Sequence, residues 1–265
     1  MLLNQPNSGY QVVWSGKAFE QDVTVLFETE KNRVKYSASQ SETIDREWRV
    51  REETAVSEGR HLYNSSIFRL SAFNEGSDGQ LVLELGLTDY REYVATRSSE
   101  KVIPRANPIG TCIIPVTTDG YIPVGRRSQF AEVNPGKYFS FGGFFDAELD
   151  ILRNRPNVFS CIRREVREEL GLELNHTEIQ LIAIIKDLAN IHPELAFHAE
   201  IGVSCEEVRA LDWSSELSDL TFVHVTDIMK FLDRSREEMT PTFIGALQVF
   251  MANSSLAYAE KAATY

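Results

Sequence analysis

The run Arg164-Glu165-Val166-Arg167-Glu168-Glu169-Leu170-Gly171-Leu172 constrains this chain more tightly than any other stretch of it. On a helix turning about 100° per residue, Glu165, Glu168 and Glu169 stand at i, i+3 and i+4 and share one face. Three carboxylates so placed repel one another unless a cation sits among them. Phe159, Ile162, Val166 and Leu170 fall on an adjacent arc about 80° wide, so the same helix has an apolar side to dock on a core. Asn157, after Pro156, is placed to cap its start, and Gly171 can end it in a left-handed conformation.

The chemistry such a face suits is the handling of phosphate by hard cations. Mg²⁺ prefers oxygen ligands and is held by a few carboxylates together with substrate phosphate oxygens and water. Ions of this kind neutralise a pyrophosphate, orient a water and stabilise the leaving phosphate. Arg164, one turn before Glu168, can hold that carboxylate through an i, i+4 ion pair. Upstream, Gly142-Gly143 lacks Cβ atoms, so its backbone can approach a bound ion closely.

Charge narrows the partners. The chain has 27 basic and 39 acidic residues in 265, a net charge of −12, and no basic block, so a nucleic-acid polymer is repelled rather than gathered. An anionic diphosphate meets the same repulsion, and its site must supply metals and local arginines. Arg126 and Arg127 leave a strand where a planar guanidinium fork suits phosphate oxygens; the alternative is a charged strand end in solvent. Cys112, Cys161 and Cys205 are an odd number, far apart and in apolar segments, and read as buried free thiols of a reducing compartment. The first residues, Met1 to Pro6, show no signal-peptide pattern and no window of eighteen apolar residues follows, so no membrane association and a cytoplasmic location are expected.

From Gly110 onward strands and helices alternate. Residues 111 to 116 and 121 to 124 flank Asp119-Gly120, a hairpin signal. Residues 138 to 145 read as a strand running into Gly142-Gly143, and strands follow at 179 to 186 and 195 to 203. Ser204 with Glu207 forms a capping box, and Thr240-Pro241 opens the last helix. Helices on a mixed sheet make this part an α/β fold of the α/β/α sandwich type. The first hundred residues, with alternating apolar positions at 11 to 14 and 23 to 27 and a charged helix around 44 to 55, read as a small added α+β domain. Polar Ser98 to Lys101, followed by Pro104, sets the boundary, giving domains 1–101 and 102–265.

Residues 164 to 172 resemble the second half of the Nudix box, G-x5-E-x7-R-E-U-x-E-E-x-G-U with U aliphatic, and Gly142-Gly143 resembles its opening. The first half departs from the pattern: the box places its Arg fourteen positions after the Gly, whereas Arg164 lies twenty-one after Gly143, so the linking loop carries seven extra residues. The position due for the first acid is Leu149, leaving Glu148 and Asp150 as candidates. The resemblance implies a Nudix-type sandwich in which Glu165, Glu168, Glu169 and the Gly142 carbonyl hold Mg²⁺, or Mn²⁺ in its place. It also implies that Arg164 orients the carboxylates and that Arg126, Arg127 and Gly143 meet the substrate. Nudix enzymes often add a carboxylate from outside the box; Glu194, His198 and Glu200 share one strand face, and Glu194 and Glu200 are the candidates. His198 reads better as a packed ring, since hard Mg²⁺ prefers oxygen.

A second likeness bears on the substrate. Leu83 to Thr96, Asn107-Pro108-Ile109-Gly110 and Arg126-Arg127-Ser128 are similar to segments of the animal UDP-glucose pyrophosphatase branch, over about residues 62 to 232. It implies hydrolysis of UDP-glucose or UDP-galactose to UMP and sugar 1-phosphate, with Tyr90 in the matched segment as a substrate contact. Packing alone also accounts for that segment, as a strand, a Thr88 cap and an amphipathic helix. This chain keeps a more intact box helix than the animal members do. The rival expectations are a hydrolase of another nucleoside diphosphate derivative, such as ADP-ribose or a dinucleotide, and a nucleotide-sugar sensor that has lost catalysis.

Overall fold

The computed structural model describes residues 9–28, 32–59, 62–97, 105–174 and 177–262, with side chains to residue 254. The first six residues and the expected boundary at 98 to 104 lie outside the described residues. The strands are β1 (Tyr10–Ala18), β2 (Val23–Phe27), β3 (Ser66–Glu75), β4 (Leu81–Asp89), β5 (Gly110–Val116), β6 (Tyr121–Arg127), β7 (Tyr138–Phe139), β8 (Ile151–Leu152), β9 (Arg155–Pro156), β10 (Ile179–Asp187), β11 (His192–Glu200) and β12 (Leu217–His224). The α-helices are α1 (Ala38–Ser57), α2 (Tyr90–Arg97), α3 (Val158–Leu170), α4 (Cys205–Arg209), α5 (Ile228–Ser235) and α6 (Pro241–Ala262).

The central sheet is mixed, in the order β1-β10-β11-β5, with β11 and β5 parallel and the other pairs antiparallel. Strand alternation divides its side chains between two layers. Ile113, Leu195 and Phe197 pack on Phe159, Ile162, Val166 and Leu170 of α3, all of them buried. Cys112, Ile114 and Ala196 pack on Phe243, Leu247 and Phe250 of α6. Each such side chain contributes about 1.5–3 kcal/mol when fully buried, so docking α3 through four of them outweighs the cost of its acidic edge. The result is the expected α/β/α sandwich.

Two features depart from the sequence expectation. Strand β1, from the segment read as N-terminal, pairs with β10 as the edge of the central sheet. The predicted hairpin keeps its turn, with Thr117 N–H donating to Tyr121 O at 2.8 Å, but its strands part into different sheets. β6 pairs with β12 and β7, whereas β5 takes β11 on one side and bridges to Phe141 and Phe144 on the other. Only Tyr138–Phe139 of the expected 138–145 strand is regular, because the chain there crosses from Gly125 of β6 to Ile113 of β5. That crossing delivers Gly142-Gly143 to the acidic edge of α3.

The remaining strands form a small sheet, β2-β4-β3, with α1 and α2 beside it. Leu81, Leu83 and Leu85 of β4 belong to the same buried cluster as α3. Helix α2 is capped by Asp89, whose Oδ1 accepts from Glu92 N–H at 2.7 Å, and not by Thr88. The helix begins one residue later than the sequence suggested, so Thr88 instead donates to the Glu92 carboxylate at 2.7 Å. The lengthened segment between Gly143 and Arg164 holds the β8–β9 hairpin, turned by Arg153 and Asn154 with φ of 52° and 62°. All three cysteines are free and buried. No helix among the described residues is long and apolar enough to cross a membrane.

Candidate active site

Helix α3 forms as its residues dictate. Asn157 accepts from Ser160 N–H at 2.8 Å at its start, and Gly171 ends it with φ 69°. Glu20 fastens the first turn from outside by accepting from Asn157 Nδ2 at 2.8 Å and from Arg163 at 3.0 Å. At the acidic edge Arg164 is the organiser. Its Nε and Nη2 reach the two oxygens of Asp150, each at 2.8 Å, in a bidentate pair, while Nη1 meets Glu165 at 2.7 Å and Glu168 at 3.0 Å. Asp150 is fully buried. Of the two acids that sequence offered for the first half of the box, Asp150 is therefore the one joined to the box arginine. The backbone N–H of Glu148 is turned onto Asp146, and Leu149 is exposed.

The three helix glutamates divide. Glu165 and Glu169 line a cleft of about 560 Å³, whereas Glu168 is half exposed and drawn to Arg164. Burial, with help from the charges of Glu168 and Asp150 and against that of Arg164, pushes the Glu165 carboxyl up to about 7. Burial and then the charge of Glu165 push Glu169 well above the carboxylate range, although Gly142 N–H donates to its Oε2 at 2.8 Å. Among the described residues no three His, Cys, Asp or Glu side chains converge into a ready-made metal centre. The donors nonetheless suit a hard divalent cation: they are oxygens, and the two inward carboxylates crowd one another in a way that a cation would relieve. Gly143 adds room, since a Cβ there would stand 2.5 Å from Glu165 Oε1.

Gly142 has φ 150°, and a Cβ on it would collide with the Thr111 carbonyl oxygen. Gly142→Ala is therefore expected to cost about 1–3 kcal/mol through overpacking and strain, read as a lower midpoint in thermal or urea unfolding. An unchanged midpoint would mean that the crossing strand shifts freely. Thr111 also fixes the next peptide, its N–H and hydroxyl both donating to Gly143 O, at 2.8 and 3.1 Å.

The two arginines separate, because adjacent strand residues point to opposite faces. Arg127 lies on the cleft with its guanidinium over the Phe139 ring at 4.9 Å, and its buried Nε has no hydrogen-bond partner. Arg126 does not reach the cleft, contrary to the expectation that it meets the substrate. It lies over Tyr138, donates to Gly136 O at 2.9 Å and pairs with Glu238 at 2.8 Å.

Tyr90 lines the cleft, with its hydroxyl donating to Glu132 at 2.7 Å. Tyr90, Tyr93 and Phe144 form an aromatic wall that ends on His192, with ring centroids 5.1–6.1 Å apart. Glu194, the outside carboxylate that period two offered, also lines the cleft, while Glu200 is exposed. Burial alone would raise the Glu194 carboxyl; His192, Cys112 and Thr242 together bring it below its ordinary value. His198 is a packed ring, 4.9 Å from Phe250, with Nδ1 3.0 Å from Ile114 O. Sequence reasoning missed Glu132, Asp187, Asn190, His192 and Thr242 on the cleft wall. They come from strand ends, a loop and the first turn of α6, and only the fold brings them to the box helix.

No family model matches the chain. Among curated proteins it is similar to Nudix hydrolase 9 of Arabidopsis thaliana, 25% identical over 81% of each chain. It is also similar to the uridine diphosphate glucose pyrophosphatase NUDT22 of Mus musculus, 22% identical over 71% of this chain and 74% of that one. Among solved structures, Tm1382, a putative Nudix hydrolase, aligns over 71% of this chain and 99% of its own, with a TM-score of 0.48 and 13% identity.

Proposed function

We propose that this chain, a Nudix hydrolase acting on phosphorus anhydrides, cleaves the diphosphate of a nucleotide sugar, UDP-glucose or UDP-galactose, to UMP and sugar 1-phosphate. The observation that carries the reading is the convergence of Glu165, Glu169, Gly142, Gly143 and Arg127 on one cleft large enough for a nucleotide sugar. The uridine sugar is supported by the likeness to the mouse pyrophosphatase and by the matching segment from Leu83 to Thr96, which supplies Tyr90 and Tyr93 to the cleft.

Each residue then has a task. Glu165, Glu168, Glu169 and the Gly142 carbonyl would hold Mg²⁺, or Mn²⁺, which when bound neutralises the diphosphate and lowers the cost of generating the attacking water oxygen. Arg164, locked by Asp150, keeps the Glu165 and Glu168 carboxylates aimed. Arg127, on the cleft wall, offers its guanidinium to a phosphate oxygen, where it balances charge that builds up as the P–O bond breaks. A carboxylate of this helix edge, beside the water that attacks, takes its proton. Water adds its oxygen to one phosphorus, the bridging oxygen leaves on the other phosphate, and the proton ends on that product or in solvent. The Asp150–Arg164 pair supports catalysis over a sensor, because it fills the place left by the displaced first half of the box.

The three buried thiols support a reducing compartment, and we place the activity in the cytoplasm. We also retain a division of the chain near residue 101, with β1 contributed across it to the central sheet; limited proteolysis yielding one cut at that point tests it. The function is tested by product analysis with Mg²⁺ on UDP-glucose, UDP-galactose, ADP-ribose and dinucleotides. UMP with sugar 1-phosphate is the expected outcome. Preferential release of AMP would replace the substrate, and tight UDP-glucose binding without cleavage would replace the enzyme with a sensor.

A further inference from the structure

The loop from Ser128 to Lys137, between β6 and β7, forms one wall of the cleft through Phe130, Ala131, Glu132, Val133 and Asn134. Its base is pinned by its own backbone: Ser128 N–H donates to Glu216 O at 2.9 Å, and Arg127 N–H to Lys137 O at 3.0 Å. Its middle is pinned by a single carboxylate. Glu132 Oε1 meets Arg97 of α2 at 2.5 Å and Arg51 of α1 at 3.5 Å, and Oε2 accepts the Tyr90 hydroxyl of α2 at 2.7 Å. Its side chain is 14% exposed and that of Arg97 9%, so solvent screens this pair little. Arg97 lies in turn over the Tyr93 ring at 5.1 Å, and Tyr93 stands in the aromatic wall against Phe144.

We propose that Glu132 is a positioning residue through which the two N-terminal helices set the shape of the cleft away from the box helix. In that arrangement Glu132 holds the loop and Tyr90 in register, so the group carried on the diphosphate meets a preformed wall. The ties of Glu132 run to Arg97, Arg51 and Tyr90, none of which is a proposed cation ligand. The effect of losing the tie therefore falls on binding of the carried group and not on the bond-breaking step. The inference rests on the cleft being the diphosphate site.

Two variants test it. Glu132→Gln keeps the size of the side chain and an acceptor for Tyr90 but leaves Arg97 without its counter-charge; Glu132→Ala removes both ties. Steady-state kinetics of the full chain with UDP-glucose and Mg²⁺ should show KM raised about 10- to 100-fold, the scale expected from a small misplacement of a binding wall, with kcat changed far less. Arg97→Ala should raise KM similarly, and adding Glu132→Ala to it should cost little more, since both remove one tie. Amide hydrogen exchange should show residues 128–137 exchanging faster in Glu132→Gln while α3 stays protected. A folded Glu132→Gln protein with unchanged KM, a loss confined to kcat, or additive effects of the two substitutions would overturn the proposal. If the wild-type chain cleaves no diphosphate, the proposed function fails, and the exchange pattern alone decides the tether: unchanged exchange at 128–137 overturns it.

Discussion

Glu169→Gln is expected to lower kcat by about two to four orders of magnitude while the protein folds as before. Glutamine occupies the same volume, and its carbonyl oxygen can still accept from Gly142 N–H, the bond that the glutamate makes at 2.8 Å. The crossing strand that carries Gly142-Gly143 therefore keeps its anchor. What is lost is a carboxyl able to ionise against a cation, at a buried position one helical turn from Glu165. A neutral amide oxygen is a poor ligand for a hard dication beside a diphosphate. The substitution also removes a carboxyl whose ionised form burial and the charge of Glu165 disfavour, so thermal stability should be equal or slightly higher. Loss of rate with retained or raised stability identifies a group kept for function at the expense of the fold. Measuring kcat with Mg²⁺ and the unfolding midpoint on one preparation checks both halves. Full Mg²⁺-dependent turnover by Glu169→Gln would remove Glu169 from the ligand set and, with it, the main support for reading this helix as a catalytic edge.

Helix α3 was legible in the sequence because every signal that makes it is local. The cap at Asn157, the apolar arc, the stop at Gly171 and the i, i+3, i+4 spacing of the glutamates depend on residues within one or two turns of each other. The same locality explains the capping box at Ser204 and the helix opening at Pro241. What depends on distant pairing was not legible. The Asp119-Gly120 turn forms, yet the choice of β5 to pair with β11 rather than β6 is made by residues some eighty positions away. Arg126 and Arg127 look equivalent in sequence, and only the register of β6 against β7 and β12 decides that Arg127 faces the cleft. Glu132 carries no sequence signal, since its role comes from Arg97 and Arg51, which reach it from other helices.

Asp150→Ala is expected to destabilise the protein by about 3 kcal/mol, the low end of the cost of breaking a buried pair, since Arg164 loses its bidentate partner but keeps Glu165 and Glu168. Asp150 is fully buried and gives both oxygens to Arg164, whose side chain is only 13% exposed. Burial alone would weaken the charged guanidinium; the hydrogen bonds to Asp150 and the charges of Glu165 and Asp150 together outweigh that, holding Arg164 above its ordinary value. Asp150 also accepts from Asp146 N–H at 2.8 Å, so the substitution loosens the start of the insertion as well as the helix. For a chain of this size the shift in unfolding midpoint should be about 10 °C, given roughly 2–4 °C per kcal/mol. Activity should fall too, because Arg164, freed from Asp150, is expected to turn further onto Glu165 and Glu168 and neutralise carboxylates meant for a cation. Asp150→Glu separates the two effects: it restores the charge but cannot fit a longer side chain without displacing Arg164. It should therefore recover part of the stability and little of the rate. If Asp150→Ala unfolded at the wild-type midpoint with full activity, the insertion hairpin would be an ornament and the first half of the box would have no counterpart in this chain.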